Sequence, residues 1–144
     1  MTSDKTRPYI GVYGIFIYKD SVLMIKKNRG PYKGKFDLPG GGVEFGEKIS
    51  TCLAREINEE TGSKLLGAEF VGLGEYTCQY VKEDQSLKDF HHIGVYYLVN
   101  LEIKDLKTGA DGQDSDGALF VPIANISLEN TSPIVVPIIE KIRK

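Results

Sequence analysis

The sequence predicts an α/β protein in which helices pack against a mixed β-sheet. Segments with the apolar, β-branched and aromatic content of strands stand both before and after one segment with helical spacing. Strands on both sides of a central helix favour a layered arrangement, because the helix must bury its apolar stripe against the sheet. The 144 residues are enough for one ordinary domain. We expect residues 1–8 to form a flexible tail and residues 9–144 a single domain.

The predicted strands are short runs bounded by turn residues. The first two are separated by a tight turn, and a polar segment, KEDQSLKD at 82–89, precedes a later one. A segment rich in turn residues, 36–47, has room for a very short strand. The predicted strands cover residues 9–18, 22–26, 68–80, 91–101 and 118–123.

The central helix is predicted over residues 48–61. Apolar side chains recur there every fourth position, and Gly62 stands where a helix usually ends. The predicted buried stripe comprises Ile49, Leu53 and Ile57, and the predicted polar back comprises Thr51, Asn58 and Thr61. A second helix is predicted near 134–143.

Composition and charge exclude several classes of protein. A net charge of −2 argues against a protein that coats nucleic acid, and no apolar run is long enough to span a membrane. The first ten residues lack the apolar region of a secretory signal. Cys52 and Cys78 are too few for a disulfide framework or a zinc site. We therefore expect a cytoplasmic protein in a reducing compartment.

Three glutamates lie close to the apolar stripe of the central helix. At about 100° per residue, Glu56 and Glu60 each fall about 20° from Ile49, and Glu59 lies beside Glu56. Partly buried carboxylates this close together need a cation. Arg55 can pair with one of them, and all-oxygen ligands suit Mg²⁺ or Mn²⁺ for the rest. The alternative is a surface helix whose acids are simply solvated.

The segments before this helix suit a phosphorylated ligand. PGGG at 39–42 is a turn whose backbone can approach a ligand or metal closely. The loop at 26–35 holds five basic side chains and no acid. We expect Arg29, Lys33 and Lys35 to bind phosphates that bridge them to the metal, although a solvated basic surface is an equal alternative for each residue.

These residues together resemble the Nudix box of the Nudix hydrolase (MutT-like) family. Gly41 is followed after five residues by Glu47 and after seven more by the run REINEETG at 55–62. One position departs from the pattern, because Ser63 stands where the box usually closes with an aliphatic residue. The resemblance implies an α/β/α sandwich with a mixed sheet and the Nudix loop-helix-loop.

The resemblance also implies the metal ligands and the reaction. Nudix hydrolases use divalent metal and water to cut a diphosphate linkage in a nucleoside diphosphate attached to another group. Transferred position by position, Glu56, Glu59 and Glu60 resemble the metal ligands, helped by the backbone carbonyl of Gly40. The implied cofactor is Mg²⁺ or Mn²⁺.

Other residues take supporting or catalytic roles by the same resemblance. Arg55 resembles the arginine that orients a helix glutamate, and Glu47 the supporting acid at the helix start. The general base is left open between Glu56 and the acidic loop, which offers Asp114 and Asp116. The residues assigned to the catalytic group are Glu47, Arg55, Glu56, Glu59 and Asp116.

Aromatic and histidine side chains could add substrate contacts. Tyr80 follows the box at about the position where the diadenosine polyphosphate group carries a tyrosine, and we assign it to ligand binding. His91 and His92 open a strand and point to opposite faces, so one of them could face the cleft, although a structural or solvent-facing role is the commoner one. Cys52 is expected to pack rather than to react.

The substrate expected from the resemblance is a nucleoside triphosphate or a related nucleotide. The extra signatures of the coenzyme A and NADH groups are missing, and TCQY at 77–80 lacks the proline of the ADP-ribose group. Two alternatives stay open: a non-catalytic nucleotide sensor, and a hydrolase or isomerase of a non-nucleotide diphosphate such as an isoprenoid diphosphate. The expected partner is a small nucleotide rather than a nucleic acid polymer or a membrane, and a homodimer is left open.

Overall fold

The computed structural model describes residues 7–110, 112 and 115–143. The predicted tail falls mostly on residues 1–6, which lie outside this part of the chain, and residues 7–8 are exposed and precede the first strand. Along the described chain, neither helix is long and apolar enough to cross a membrane. The strands are β1 (Tyr9–Ile15), β2 (Ile17–Tyr18), β3 (Ser21–Lys27), β4 (Phe36–Asp37), β5 (Gly40–Gly42), β6 (Lys64–Val81), β7 (Leu87–Glu102) and β8 (Ser115–Pro122), and the helices are α1 (Ile49–Thr61) and α2 (Val136–Ile142).

The strands form two sheets. The first has the order β5-β1-β7-β6, in which β1 and β7 run parallel and the other pairs are antiparallel. The second is antiparallel, with β3 pairing with β2 and β4 along one edge and with β8 along the other. The predicted mixed sheet is therefore confirmed, and a second, antiparallel sheet accompanies it.

The first predicted strand is in fact two strands in different sheets. The chain leaves β1 after Ile15, passes Phe16, and enters the second sheet at β2. β2 and β3 form a hairpin whose two loop residues, Lys19 and Asp20, have φ values of 49° and 64°. Two successive positive φ angles are typical of a type I′ turn, whose twist matches that of the strands it joins.

The hydrophobic core lies in two clusters on opposite faces of the first sheet. Val12 of β1 packs in a cluster with Leu53 and Ile57 of α1. Its neighbour Tyr13 faces the other cluster, which contains Ile138 of α2. Alternation of side chains along β1 thus places α1 on one face and α2 on the other, as expected of the predicted α/β/α sandwich.

The phase of α1 differs from the prediction at its two ends. Ile49 is 41% exposed rather than buried, whereas Leu53, one turn later on the same stripe, is 1% exposed. Thr61, predicted on the polar back, is 0% exposed, and its hydroxyl donates to the carbonyl of Ile57 at 2.7 Å. A hydroxyl with a backbone partner can be buried at little cost. Cys52 is buried, as predicted.

Candidate active site

Glu60 ties helix α1 to the glycine segment of β5. Its side chain is only 5% exposed, and its Oε1 accepts a hydrogen bond from the backbone N–H of Gly40 at 2.8 Å. Gly40 has a φ of 150°, and a Cβ there would collide with the carbonyl of Val12. Only glycine therefore lets β5 lie this close to β1 while its N–H faces the carboxylate.

Glu56 lies against the next glycine. A Cβ built on Gly41 would stand 2.6–2.8 Å from the carboxylate atoms of Glu56. The glycines predicted to approach a ligand therefore make room first for the carboxylates of α1. The two most enclosed acids of the helix both face the backbone of β5.

Arg55 links three carboxylates. Its guanidinium forms a bidentate pair with Glu47 at 2.8 and 2.9 Å, and its Nη1 contacts Glu56 at 3.0 Å and Glu59 at 3.3 Å. The sequence led us to expect one partner, but the planar fork of arginine can serve several acceptors at once. Arg55 therefore fixes the acidic side chains relative to one another.

This pairing sets the charge of the network. Hydrogen bonding to Arg55, followed by the N–H of Glu44, lowers the pKa of Glu47 to about 2. The same bond to Glu47 holds the pKa of Arg55 above its ordinary range. Burial raises the pKa of the Cys52 thiol to about 11, so this thiol stays neutral beside the carbonyls of Gly41 and Gly42. At neutral pH, Glu47 and Arg55 are a permanent ion pair and Cys52 is a packing residue.

The donor set fits a hard divalent cation. Glu56, Glu59 and Glu60 offer carboxylate oxygens on one side of α1, and oxygen ligands suit Mg²⁺ and Mn²⁺. Within the ranges that the structure describes, no three His, Cys, Asp or Glu side chains are already grouped as a metal site. Arg55 contacts Glu56 and Glu59 through one nitrogen, Nη1, and so holds the two carboxylates on the side of α1 where they would share a cation.

A cavity of about 710 Å³ opens on the other side of the glycine segment. Gly40 and Gly41, which contact Glu60 and Glu56, line it, and the hairpin between β6 and β7 lines its far end. Glu56, Glu59 and Glu60 themselves are not among the described residues of its lining. Of the predicted ligand-binding residues, Arg29, Lys33 and Tyr80 line this cavity. The volume lies within the range of small-molecule sites.

Two predicted site residues, Lys35 and Asp116, lie outside both the acidic group of α1 and the cavity lining. Lys35 is not among the described residues that line the cavity, and its Nζ donates to the carbonyls of Leu128 and Glu129 at 3.0 Å each. Lys35 therefore ties the loop before β4 to the turn that contains Leu128 and Glu129, because its ammonium donates to the backbone oxygens of that turn. Asp116 is exposed at the start of β8 and accepts from Asn28 at 3.0 Å, and neither residue lines the cavity. Asp114 lies outside the described residues.

The two adjacent histidines have different environments. His91 is partly exposed and its Nε2 lies 2.7 Å from a carboxylate oxygen of Glu75. His92 is buried and lines the cavity, with both ring nitrogens in hydrogen bonds to tyrosine hydroxyls. His92 therefore combines the structural role and the cleft-facing position that the sequence left as alternatives.

The cavity wall includes residues that the sequence did not assign to the site, among them Tyr9, Lys27, Tyr32, Asp37 and Phe90. Tyr32 is 5% exposed although it belongs to a loop dominated by basic residues. The presence of an aromatic residue in a basic loop could have identified Tyr32, because large aromatic side chains are usually buried rather than solvated. Asp37 and Lys27 carried no comparable signal, since each is a charged residue at the end of a short strand, where such side chains are usually solvated.

With this geometry in view, comparison with known proteins identifies the family. The family model described as NUDIX domain matches residues 6–142. The chain belongs to this family.

Individual relatives agree with this assignment. Over 109 residues the chain is 32% identical to an ADP-ribose pyrophosphatase of Methanocaldococcus jannaschii, covering 76% of this chain and 60% of the relative. Over 63 residues it is 54% identical to the nucleoside triphosphatase NudI of Salmonella paratyphi B, covering 44% of this chain and 40% of the relative. The matches therefore span only about half of these relatives.

The fold is shared with solved structures. The MutT NUDIX hydrolase from Burkholderia pseudomallei superposes with a TM-score of 0.71, over 94% of this chain and 98% of that one, at 20% sequence identity. At this identity the likeness concerns the α/β/α arrangement alone.

Proposed function

We propose that this protein is a metal-dependent hydrolase that cuts the diphosphate linkage of a nucleoside triphosphate or another nucleoside diphosphate derivative. The observation that carries the proposal is the position of Gly40 and Gly41. They contact the carboxylates of α1 and also line the cavity that contains the basic side chains. A diphosphate in this cavity would lie between cations and an acidic metal-binding group.

The acidic side chains of α1 would hold the metal. Glu56, Glu59 and Glu60 provide the oxygens, and Glu59 is the most accessible of them with a side chain 48% exposed. When bound, Mg²⁺ or Mn²⁺ would lower the pKa of a water molecule and neutralise charge on the phosphates. Arg55, fixed by Glu47, keeps Glu56 and Glu59 together on the face that the metal would share.

The remaining steps belong to the chain's own side chains. Lys27, Arg29 and Lys33 line the cavity and would orient the phosphates by charge and hydrogen bonds. We assign the general base to Glu56, because its carboxylate lies against Gly41, which lines the cavity. Asp116 is the weaker candidate, since it bonds to Asn28 outside the cavity lining.

The far part of the cavity suits a nucleoside. Tyr9, Tyr80 and Phe90 line it and offer aromatic faces on which a base can stack. The two relatives act, by their names, on ADP-ribose and on nucleoside triphosphates. Both are nucleoside diphosphate derivatives, so the proposed class includes them without choosing between them.

A substrate panel with Mg²⁺ and with Mn²⁺ tests the proposal. It would include nucleoside triphosphates, ADP-ribose, dinucleoside polyphosphates and isoprenoid diphosphates, with products separated by chromatography. We expect metal-dependent cleavage of a nucleotide, and a loss of at least about a hundredfold in kcat with Glu59→Gln. Because Glu59 is half exposed, the variant should melt at the wild-type temperature.

The basic residues provide a matched comparison. Arg29→Met should raise KM for the nucleotide, whereas Lys35→Met should leave KM unchanged because Lys35 bonds to loop carbonyls. Nucleotide binding without cleavage would favour the sensor, and cleavage of isoprenoid diphosphates alone would favour the non-nucleotide alternative. Either result would refute the proposal.

The proposed setting is the reducing cytoplasm, because Cys52 and Cys78 are both free thiols. The proposed partner is a small nucleotide, and neither a nucleic acid polymer nor a membrane has a role in the proposal. Sedimentation of the purified chain would decide between a monomer and a homodimer.

A further inference from the structure

A buried chain of hydrogen bonds crosses the floor of the cavity. We call it the Tyr-His-Tyr relay, and it consists of Tyr13, His92 and Tyr32. The hydroxyl of Tyr13 lies 2.8 Å from Nε2 of His92, and the hydroxyl of Tyr32 lies 2.8 Å from Nδ1 of the same ring. The three residues are 6%, 2% and 5% exposed, and all three line the cavity.

All three side chains of the relay are neutral at physiological pH. Burial, followed by the nearby charge of Lys27, lowers the pKa of His92 to about 4. Burial also raises the pKa of both tyrosines above its usual range. A neutral imidazole has one N–H and one free lone pair, so each nitrogen can take only one role at a time.

Counting protons leaves one hydroxyl to bind something else. The relay holds three polar hydrogens, one on each residue, and its two contacts use two of them. The third belongs to Tyr32 if Nδ1 carries the ring proton, and to Tyr13 if Nε2 carries it. In the part of the chain that the structure describes, neither hydroxyl bonds to any other protein group. A buried donor of this kind needs an acceptor.

The surroundings favour a planar ligand. The rings of Tyr9 and Phe90 lie 5.6 and 5.4 Å from the His92 ring, and both residues line the cavity. The Tyr13 hydroxyl is packed against Gly11, where a Cβ would collide with it. The Tyr32 ring lies 6.2 Å from Phe90, one of the aromatic side chains proposed to stack on the base, so its hydroxyl is the better placed of the two to meet the edge of that base.

We propose that the Tyr-His-Tyr relay determines base specificity by bonding to the edge of a nucleobase through the Tyr32 hydroxyl. This inference rests on the nucleotide substrate proposed above. If the ring proton is on Nδ1, Tyr32 donates to a base carbonyl. If it is on Nε2, Tyr32 accepts from a base amino group. Moving one proton on His92 therefore lets the same cavity accept 6-oxo and 6-amino purines.

Removing the Tyr13 hydroxyl should restrict His92 to one tautomer. In Tyr13→Phe, the tautomer with its proton on Nδ1 leaves a lone pair on Nε2 without a donor. The tautomer with its proton on Nε2 leaves that N–H without an acceptor. Orphaned buried N–H groups are the rarer of the two in proteins. The ring proton then stays on Nδ1, Tyr32 remains a donor, and the variant should prefer a 6-oxo base.

Calorimetry with non-hydrolysable nucleotides tests this directly. The probes are the α,β-methylene analogues of ATP and ITP, with inorganic tripolyphosphate as the probe without a base. In the wild type we expect the ATP and ITP analogues to bind within about threefold of each other. Tyr13→Phe should shift that ratio about tenfold toward ITP. Tyr32→Phe should weaken both analogues about tenfold and leave the affinity for tripolyphosphate unchanged.

The outcomes separate this inference from the proposed function. If the substrate panel shows no hydrolysis but Tyr32→Phe weakens the analogues selectively, the function is wrong and the relay is retained. An unchanged ITP to ATP ratio in a folded Tyr13→Phe protein refutes the relay. Should Tyr13→Phe fail to fold, equal losses for the analogues and for tripolyphosphate in Tyr32→Phe refute it instead, as does a wild type that binds neither analogue.

Discussion

The contact between Gly41 and Glu56 makes the substitution Gly41→Ala a sharp test of the proposed site. The added Cβ would stand 2.6 Å from the carboxyl carbon of Glu56, and ordinary contact begins at 3.4 Å. The neighbour that must move is the end of a flexible side chain rather than backbone. Alanine should therefore displace the carboxylate by about 1 Å without disturbing the fold.

The expected loss is in activity and not in stability. A displacement of about 1 Å in a catalytic group can lower kcat by about a hundredfold. Folding should be unaffected or slightly favoured, because alanine reduces the freedom of the unfolded chain by about 0.4–1 kcal/mol. The measurements are kcat and KM across a titration of Mg²⁺, together with the melting temperature.

Gly67→Ala in β6 is the matched control. A Cβ at Gly67 meets nothing within 4 Å, so this variant should keep both activity and stability. If Gly41→Ala has wild-type kcat and wild-type metal dependence, the carboxylate of Glu56 is not held where the mechanism needs it. The assignment of Glu56 as metal ligand and general base would then be wrong.

Two further predictions concern stability. The pKa of His92 falls from 6.5 to about 4 on folding, so the unfolded chain binds a proton that the folded chain refuses. Stability should drop by roughly 3 kcal/mol as the pH falls from about 6.5 to 4, and urea melts over this range should show a flatter pH profile for His92→Gln than for the wild type. The hydroxyl of Ser63 is buried with no hydrogen-bond partner among the described residues, so Ser63→Ala should raise stability by up to about 1 kcal/mol, or roughly 2–4 °C. A fall of several degrees in its calorimetric melting temperature would contradict this reading of Ser63.

The acidic helix could be predicted from the sequence because its pattern is local. The spacing of Leu53 and Ile57 gives the buried face, and Gly62 gives the end of α1. The same spacing places Glu60 on the buried face, where the structure has it. Residues within one helix keep fixed angles to one another, so the sequence alone brings these carboxylates together.

The two errors on α1 arise where that local rule meets its surroundings. The 100° spacing gives the direction in which Ile49 points but not what covers it, and Ile49 is 41% exposed. Thr61 can be buried because its hydroxyl donates to the carbonyl of Ile57. Assigning threonine to the solvent face because it is polar does not allow for this bond. Periodicity predicts a face, whereas burial also depends on what covers that face.

Contacts between distant segments decided the rest of the site. Tyr13 and His92 are 79 positions apart, and Tyr32 and His92 are 60 apart, yet they form one chain of hydrogen bonds. The parallel pairing of β1 with β7 sets Tyr13 opposite Tyr96, and the Tyr13 side chain extends over Gly11 to reach His92. The loop after β3 brings Tyr32 onto the same ring. Lys35 lies outside the cavity lining for the same reason, because its ammonium donates to carbonyls more than 90 positions away along the chain.

The sequence by itself thus determined the α/β class, the acidic helix and the family, because each is encoded in spacings of a few residues. Only the tertiary structure decided which cations face the cavity, that Arg55 joins three carboxylates, and that a neutral histidine lies between two tyrosines. The physical reason is that side-chain hydrogen bonds and burial depend on strand pairing and loop closure. These bring together residues whose separation along the chain carries no signal of their contact.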